Sequence, residues 1–291
     1  MTIRFNPDLY SGVVSGLNLN DQQQQKALQE LGTGRRVNAP SDDPAATAAV
    51  INIHYQNAQN DLFTQNITTL QGKLQTADSV LNSVTTALTQ AITLGVQAGD
   101  GTLSAANRAT LATQIQNLTQ QVLTSANTSY QGSYIFSGTN SGTPAYSGTM
   151  TYQGSASTNK VEIESGQSIT VGLPGSQIFS NPAGDVFGSL ANLSAAVQSG
   201  NGISTAVTQL KSALDQVGSQ RTFYGSQLQQ LDSAQSFLAT DKIQLASQEN
   251  TMVGIDLAQA ETDVQKSLTQ RSALLAAGGK IQTTSLMDYL K

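Results

Sequence analysis

The chain has 291 residues, of which 11% are charged and 5% aromatic, and its formal net charge is -5. It holds no Cys and a single His, His54, which excludes disulfides, thiol nucleophiles, cysteine-ligated zinc or iron–sulfur centres and multi-His metal sites. The acidic balance lacks the basic stripe of a nucleic-acid binder, and the wealth of Gln, Asn, Ser, Thr and Ala describes a surface rather than a pocket.

At the start, Met1 to Tyr10 offers no unbroken apolar core and no small-residue cleavage site, so no cleaved secretory leader is expected. Tyr10, Val14, Leu17, Asp21, Gln24, Leu28 and Leu31 then keep heptad spacing, with polar residues in the middle of the stripe. Gly32-Thr-Gly34-Arg-Arg36 ends this helix. It is no phosphate loop, because no strand precedes it and no Lys-Ser/Thr follows. Its plain reading is glycine termination, with Arg35 and Arg36 for last-turn carbonyls or nearby acids.

Pro40-Ser-Asp-Asp-Pro44 supplies an N-cap, Ser41 or Asp42, together with first-turn acids and a first-turn proline. A helix cap and a favourable dipole contact explain the Asp42-Asp43 pair better than a metal or an acid–base dyad. A helix is predicted from Asp43 to Ala98, carrying Phe63, Ile67, Leu70, Leu74, Ala77, Leu81, Val84, Leu88 and Ala91 in strict four–three alternation. His54 lies in its first turns with no acid or nucleophile at helical reach, and is read as structural. The charge-free run from Ser79 to Gly99 is broken by Asn, Gln, Ser and Thr, whose polar groups would lie unpaired in hydrocarbon, so no membrane insertion is expected.

A second helix, Ser104 to Asn127, repeats the spacing in Leu111, Ile115, Leu118 and Val122. The short glycine-containing link makes it an antiparallel neighbour. From Tyr130 to Gly202 the helical period fades, and Gly, Ser, Thr and three of the six prolines gather there. Alternation in Val161/Ile163 and Ile169/Val171 around Ser165-Gly166-Gln167 predicts a hairpin in a small inserted β-rich domain. The middle carries Glu162, Glu164 and Asp185 but no His, so a grafted hydrolase finds no clustered catalytic residues there.

The repeat resumes from Ser204 to Met252, interrupted at Arg221, Gln235, Lys242 and Glu249, which cost stability but can pin register and partner choice. A shifted stripe of Val253, Leu257, Ala260, Val264, Leu268, Arg271 and Leu275 runs on to Gly278-Gly279. Burial at the two ends is too small to offset an ordering entropy of about 1–2 kcal/mol per residue. Both are therefore expected to order against each other in an assembly. The sequons at Asn66, Asn117, Asn127 and Asn192 are read as chance.

The fold expected is mainly α: a long antiparallel helical bundle, or coiled-coil rod, with a β-rich insertion and terminal helices that pair on assembly. Residues 1–41 with 255–291 form the terminal domain, 42–129 with 203–254 the rod, and 130–202 the insertion. Because charge is costly to desolvate, near-neutral helices can pack against neighbours on several sides. A structural, non-enzymatic subunit without cofactor or metal follows.

The residues also carry a resemblance. Leu31-Gly-Thr-Gly-Arg-Arg-Val-Asn-Ala-Pro-Ser-Asp-Asp-Pro-Ala-Ala46, Asn107-Arg108, Ile115-Gln-Asn-Leu118 and Ala126-Asn-Thr128 resemble bacterial flagellins. Gly132-Ser-Tyr-Ile-Phe-Ser-Gly138 and the ending Ser285-Leu-Met-Asp-Tyr-Leu-Lys291 are similar to the hook–filament junction branch of that family. Pro40 and Pro44 stand where true flagellins carry alanine. Gly278-Gly279 departs from a continuous terminal helix, at up to about 1 kcal/mol each relative to Ala.

The resemblance implies a junction subunit of the flagellum, outside the cell, exported through the flagellar type III apparatus. Its implied partners are copies of itself in a ring, the first hook-associated protein, flagellin, and a cytoplasmic chaperone on the C-terminal helix. The implied assembly interface is Tyr10, Val14, Leu17, Leu28 and Leu31 with Leu257, Val264, Leu268, Leu275, Leu286 and Leu290. The same resemblance implies that Arg35, Arg36, Asn38 and Asp42 form the connector between inner and outer layers. A minor flagellin polymerising in the filament is the nearest alternative, and a coiled-coil adhesin fibre a more distant one.

Overall fold

A computed structural model describes the backbone of residues 7–289 and the side chains of residues 11–280. Helix α1 (Pro7–Thr33), α2 (Pro44–Ala98) and α3 (Ala105–Ala126) come first. Short strands β1 (Ser129–Tyr130), β2 (Ser133–Tyr134), β3 (Lys160–Glu164) and β4 (Gln167–Thr170) follow. Next come a single helical turn, α4 (Gly175–Ile178), then β5 (Ser180–Asn181), β6 (Gly184–Asp185) and α5 (Val186–Ser199). Two long helices, α6 (Ile203–Val253) and α7 (Leu257–Tyr289), complete the chain. It divides into two compact units, one of residues 1–58 with 241–291 and one of residues 59–240.

The larger unit is built on the heptad stripes. On α2, Ile67, Leu74, Ala77, Leu81, Val84, Leu88 and Ala91 are fully buried. Leu111, Ile115 and Val122 of α3 and Leu210, Val217, Tyr224 and Leu231 of α6 are buried in the same core. Two of the polar interruptions on α6 serve cross-helix pairing. Arg221 donates to Asp78 at 3.0 and 3.3 Å and to Asn82 at 3.0 Å, and Gln235 accepts from Gln71 at 3.2 Å.

The outward faces follow a second rule. Thr68, Thr69, Thr86, Thr89 and Thr93 on α2, and Thr110 and Thr113 on α3, each donate the hydroxyl hydrogen to the carbonyl four residues back. This back-bonding is the usual resting place of a helical threonine.

Residues 129–185 form three separate two-stranded antiparallel ladders. The hairpin expected at 165–167 is present: β3 pairs with β4 as Val161↔Ile169, and Gly166 turns at φ +78°. A shorter hairpin, β1–β2, turns at Gln131 and Gly132, both at positive φ. An aromatic cluster holds the insertion together. Tyr146 packs on Phe179 and Phe187, and Phe136 meets Phe179 edge-on at 5.3 Å. The Tyr146 hydroxyl donates to the Gly175 carbonyl at 2.8 Å, and burial raises its pKa above the ordinary tyrosine value.

Two local readings are corrected. The longest element between Tyr130 and Gly202 is a helix, α5, whose apolar residues Val186, Leu190, Leu193 and Val197 recur at helical period. Neighbouring glycines and serines mask that period in sequence, and Gly200 at φ +77° stops the helix. The cap of α2 is Asp43, which accepts the Ala46 amide at 3.0 Å, and neither Ser41 nor Asp42. Pro44 takes the first helical position, so the residue before it becomes the cap.

Candidate functional site

Two features of the smaller unit collect the residues singled out in the sequence. The first is the connector. Gly34, at φ +68°, ends α1 by donating its amide to the Glu30 carbonyl. The chain then runs antiparallel to the segment between α6 and α7. Arg35 bridges Gly254, the Arg36 amide donates to the Val253 carbonyl at 2.8 Å, and the Ile255 amide donates to the Gly34 carbonyl at 3.2 Å.

Side chains tighten this ladder. Arg35 Nη2 lies 2.5 Å from Glu249 Oε1, and His54 Nε2 lies 3.2 Å from the same oxygen. Arg36 Nη2 donates to Asp43 at 3.2 Å and to the Met252 carbonyl at 3.0 Å. Asp42 Oδ2 accepts the Asn38 and Ala39 amides at 3.0 and 2.9 Å, while Lys26 donates to its other oxygen at 3.1 Å. Asn38 in turn donates to the Arg35 carbonyl at 2.8 Å. Arg35, Arg36, Asn38 and Asp42 thus meet in one hydrogen-bonded knot.

The Ala39 and Asn38 amides hold the Asp42 carboxyl below its ordinary pKa, and the Ala46 amide with Arg36 does the same for Asp43. Glu249 and His54 are members of the knot that sequence reasoning missed. The acid lies on α6, far along the chain, so no local spacing could reveal it.

The second feature is the pairing of α1 with α7, which the structure shows within a single chain. Its seam is made of small and polar residues. Asn20, Ala27, Ala260 and Ser267 are buried. A Cβ on Gly16 would stand 3.4 Å from Leu274, and one on Gly278 would stand 3.3 Å from Val13. Asn20 Nδ2 donates to Gln270 at 3.3 Å, and Arg271 pairs with Asp21 at 3.4 Å. Gly278 therefore has a packing role, and α7 continues through Gly278-Gly279 without a break.

Of the sequence-predicted interface, Leu17, Leu31 and Val264 are half-buried. Val14, Leu28, Leu257, Leu268 and Leu275 face outward, 41–60% exposed. The inner stripe on α1 runs through Val13, Gly16, Asn20 and Ala27, displaced from the leucine stripe, because small residues let the two backbones approach. The side chains of Tyr10 and Leu286, and Leu290 entirely, lie outside the described residues.

Among the described residues no group of three or more His, Asp or Glu could hold a metal ion. A groove of about 480 Å³ between α2 and α3 is lined by Gln90, Thr93, Leu94, Gln114, Asn117, Leu118 and Gln121. None of these titrates near neutral pH. Among the described residues, no helix is long and apolar enough to cross a membrane.

Known proteins resemble the chain in sequence and in fold. Residues 9–141 match the bacterial flagellin N-terminal helical region, and residues 207–290 match the bacterial flagellin C-terminal helical region. The flagellar hook-associated protein 3 of Escherichia coli K12 is 30% identical over 303 residues, covering 94% of this chain and 95% of that protein. Its Salmonella typhimurium counterpart is 34% identical over 175 residues, 60% of this chain and 55% of that one. The crystal structure of flagellar hook associated protein-3 from Legionella pneumophila shares the fold at a TM-score of 0.64 and 16% identity, covering 70% of this chain and 98% of that one. With helical regions matched at both ends and a relative aligned along nearly its whole length, the chain belongs to the bacterial flagellin family, on the side of the hook-associated proteins.

Proposed function

We propose that the chain is the subunit that joins hook to filament in the bacterial flagellum, and that it does so by helix–helix packing with copies of itself. The observation that carries this reading is the orientation of the terminal pair. Small residues make the inner seam, and five of the large apolar residues point away from it. A pair designed to stand alone would bury those leucines first, each gaining roughly 1.5–3 kcal/mol. Left outside at heptad positions, they form a second seam that equivalent helices of neighbouring subunits can fill.

The connector suits the same role. A knot of ion pairs and backbone bonds holds the ends of α1 and α6 in a fixed relation to the starts of α7 and α2, so packing of the terminal pair sets the position of the smaller unit. Further partners follow by likeness to the hook-associated proteins: the first hook-associated protein on one side and flagellin on the other. Export would use the flagellar type III apparatus, with a cytoplasmic chaperone covering the C-terminal helix beforehand. These partners extend the reading and are not required by it.

Fluorophore labelling of the protein on intact flagella tests the proposal. A junction subunit gives one spot per flagellum at the base of the filament. A continuous line along the filament would instead assign it to the filament itself.

A further inference from the structure

We propose that Asn20 and Asp21 of α1, clasped to Gln270 and Arg271 of α7, set the register of the terminal pair and so the height at which its leucines meet a neighbour. This rests on the assembly role given above. The clasp has two links: Asn20 Nδ2 to Gln270 Oε1 at 3.3 Å and Arg271 Nε to Asp21 Oδ1 at 3.4 Å. Asn20 is 3% exposed, and its Oδ1 is buried without a hydrogen-bond partner. A buried amide with an unsatisfied oxygen weakens the seam, and such a residue persists where it discriminates between alignments.

The rest of the seam discriminates poorly. Gly16, Ala27, Ala260 and Gly278 are small, and one small residue replaces another with little loss when two helices slide by a heptad. The polar quartet behaves differently. Slid one heptad in one direction, Gln270 and Arg271 face Val13 and Val14, Asp21 faces Val264, and Asn20 faces Asp263. Slid the other way, Gln270 and Arg271 face Ala27 and Leu28, while Asn20 faces Ala277 and Asp21 faces Gly278. In either slipped state Gln270, Arg271 and Asp21 all lose their partners, and only the alignment seen in the structure keeps both links. Because Leu28 and Val14 are exposed on α1 and Leu257, Leu268 and Leu275 on α7, a heptad slip would offset these outward rows against each other by a full repeat. Asn20 and Asp21 are in this sense positioning residues for assembly.

The absence of Cys from the chain allows a direct test. In the purified full-length protein, a Gly16→Cys/Leu274→Cys pair reports the native register, since a Cβ on Gly16 lies 3.4 Å from Cδ2 of Leu274 and the two positions therefore face each other. A Gly16→Cys/Ser267→Cys pair reports a slip of one heptad. With the clasp intact only the first pair should close on mild oxidation. In an Asn20→Ala/Asp21→Ala background, which retains good helix formers, the slipped product should rise on the order of tenfold, the ratio expected when polar groups no longer oppose sliding.

Exchange of the amides, Asn20→Gln with Gln270→Asn, should restore the single register, and circular dichroism shows whether each variant keeps its helices. Closure of the native pair alone in the clasp-free protein overturns the proposal. Should that variant lose its helices, the Gln270→Ala/Arg271→Ala pair, which removes both links from the α7 side, replaces it, with slip expected and a single register again overturning the idea. Because the cross-link is read on the isolated chain, its failure is separate from that of the assembly role, which swimming and labelling report.

Discussion

At the scale of single residues, the connector concentrates the electrostatics of a chain that otherwise has few charges. Asp42 and Asp43 accept backbone amides as well as Lys26 and Arg36, and both carboxyls lie below their ordinary pKa. A carboxylate depressed in the folded state lends stability that is fully present above its unfolded pKa and lost as pH falls through the folded one. Acid should therefore loosen this joint. The protection factors of the Asn38, Ala39 and Ala46 amides, exchange relative to the intrinsic rate at each pH, should be high at neutral pH and fall as pH drops through and below the ordinary carboxylate range. Protection factors that do not change across that range would show that the carboxylates do not hold these amides.

Glu249 sits between Arg35 and His54 with only 16% of its own side chain exposed. Glu249→Gln keeps the shape and removes the charge. Loss of such a partly buried pair should cost about 1–3 kcal/mol, seen as a lower melting temperature for this unit. The glycine at 254 is as constrained as the acid, because a Cβ there would stand 2.3 Å from the Asn250 carbonyl oxygen. Gly254→Ala must displace backbone to fit.

At the scale of elements, the helices divide by how their seams are filled. On α2 the inner stripe is almost entirely Leu, Ile, Val and Ala, and Leu74→Ala should cost about 2–5 kcal/mol in thermal or denaturant unfolding of the larger unit. Gly95 marks the opposite limit. A Cβ there would lie 2.8 Å from Val207 and 2.9 Å from Leu193, so Gly95→Ala overpacks the site where α2 meets α5 and α6 and should lose about 1–3 kcal/mol.

The long helices were legible because four–three spacing survives unbroken over many turns, as in Ile67 to Ala91, and because Ser104 caps α3 where a serine before a periodic run predicts it. The hairpin at Gly166 was legible from alternation on both sides of a turn. By contrast, α5 was hidden, since its short apolar period lies among Gly and Ser that locally read as loop. The seam between α1 and α7 within the chain was hidden for another reason. Leucines dominate a sequence stripe, whereas close helix approach is chosen by Gly16, Asn20, Ala27 and Gly278, which carry no hydrophobic signal. His54 and Glu249 could not be joined from sequence at all, since they meet only once α2 and α6 are folded side by side.

At the scale of the whole molecule, the flagellin likeness spans both ends and the unassigned remainder lies in the middle. Removal of residues 255–291 takes away α7 and leaves the larger unit, residues 59–240, with its own core. That truncated chain should retain cooperative unfolding of the larger unit, while a strain carrying it should neither incorporate the subunit nor swim. Normal motility in that strain would remove the assembly role of the C-terminal helix.

The threonines of α2 and α3 have a further effect on any contact the molecule makes. With each hydroxyl hydrogen already committed to its own helix, a neighbour meets the methyl and an oxygen that can only accept. A face written in polar letters thus behaves as a dry, weakly oily one. Surfaces of that kind need neither counter-ions nor bridging water to close, so adhesion between them should vary little with ionic strength. It should instead strengthen with modest warming, as the burial of methyl groups does.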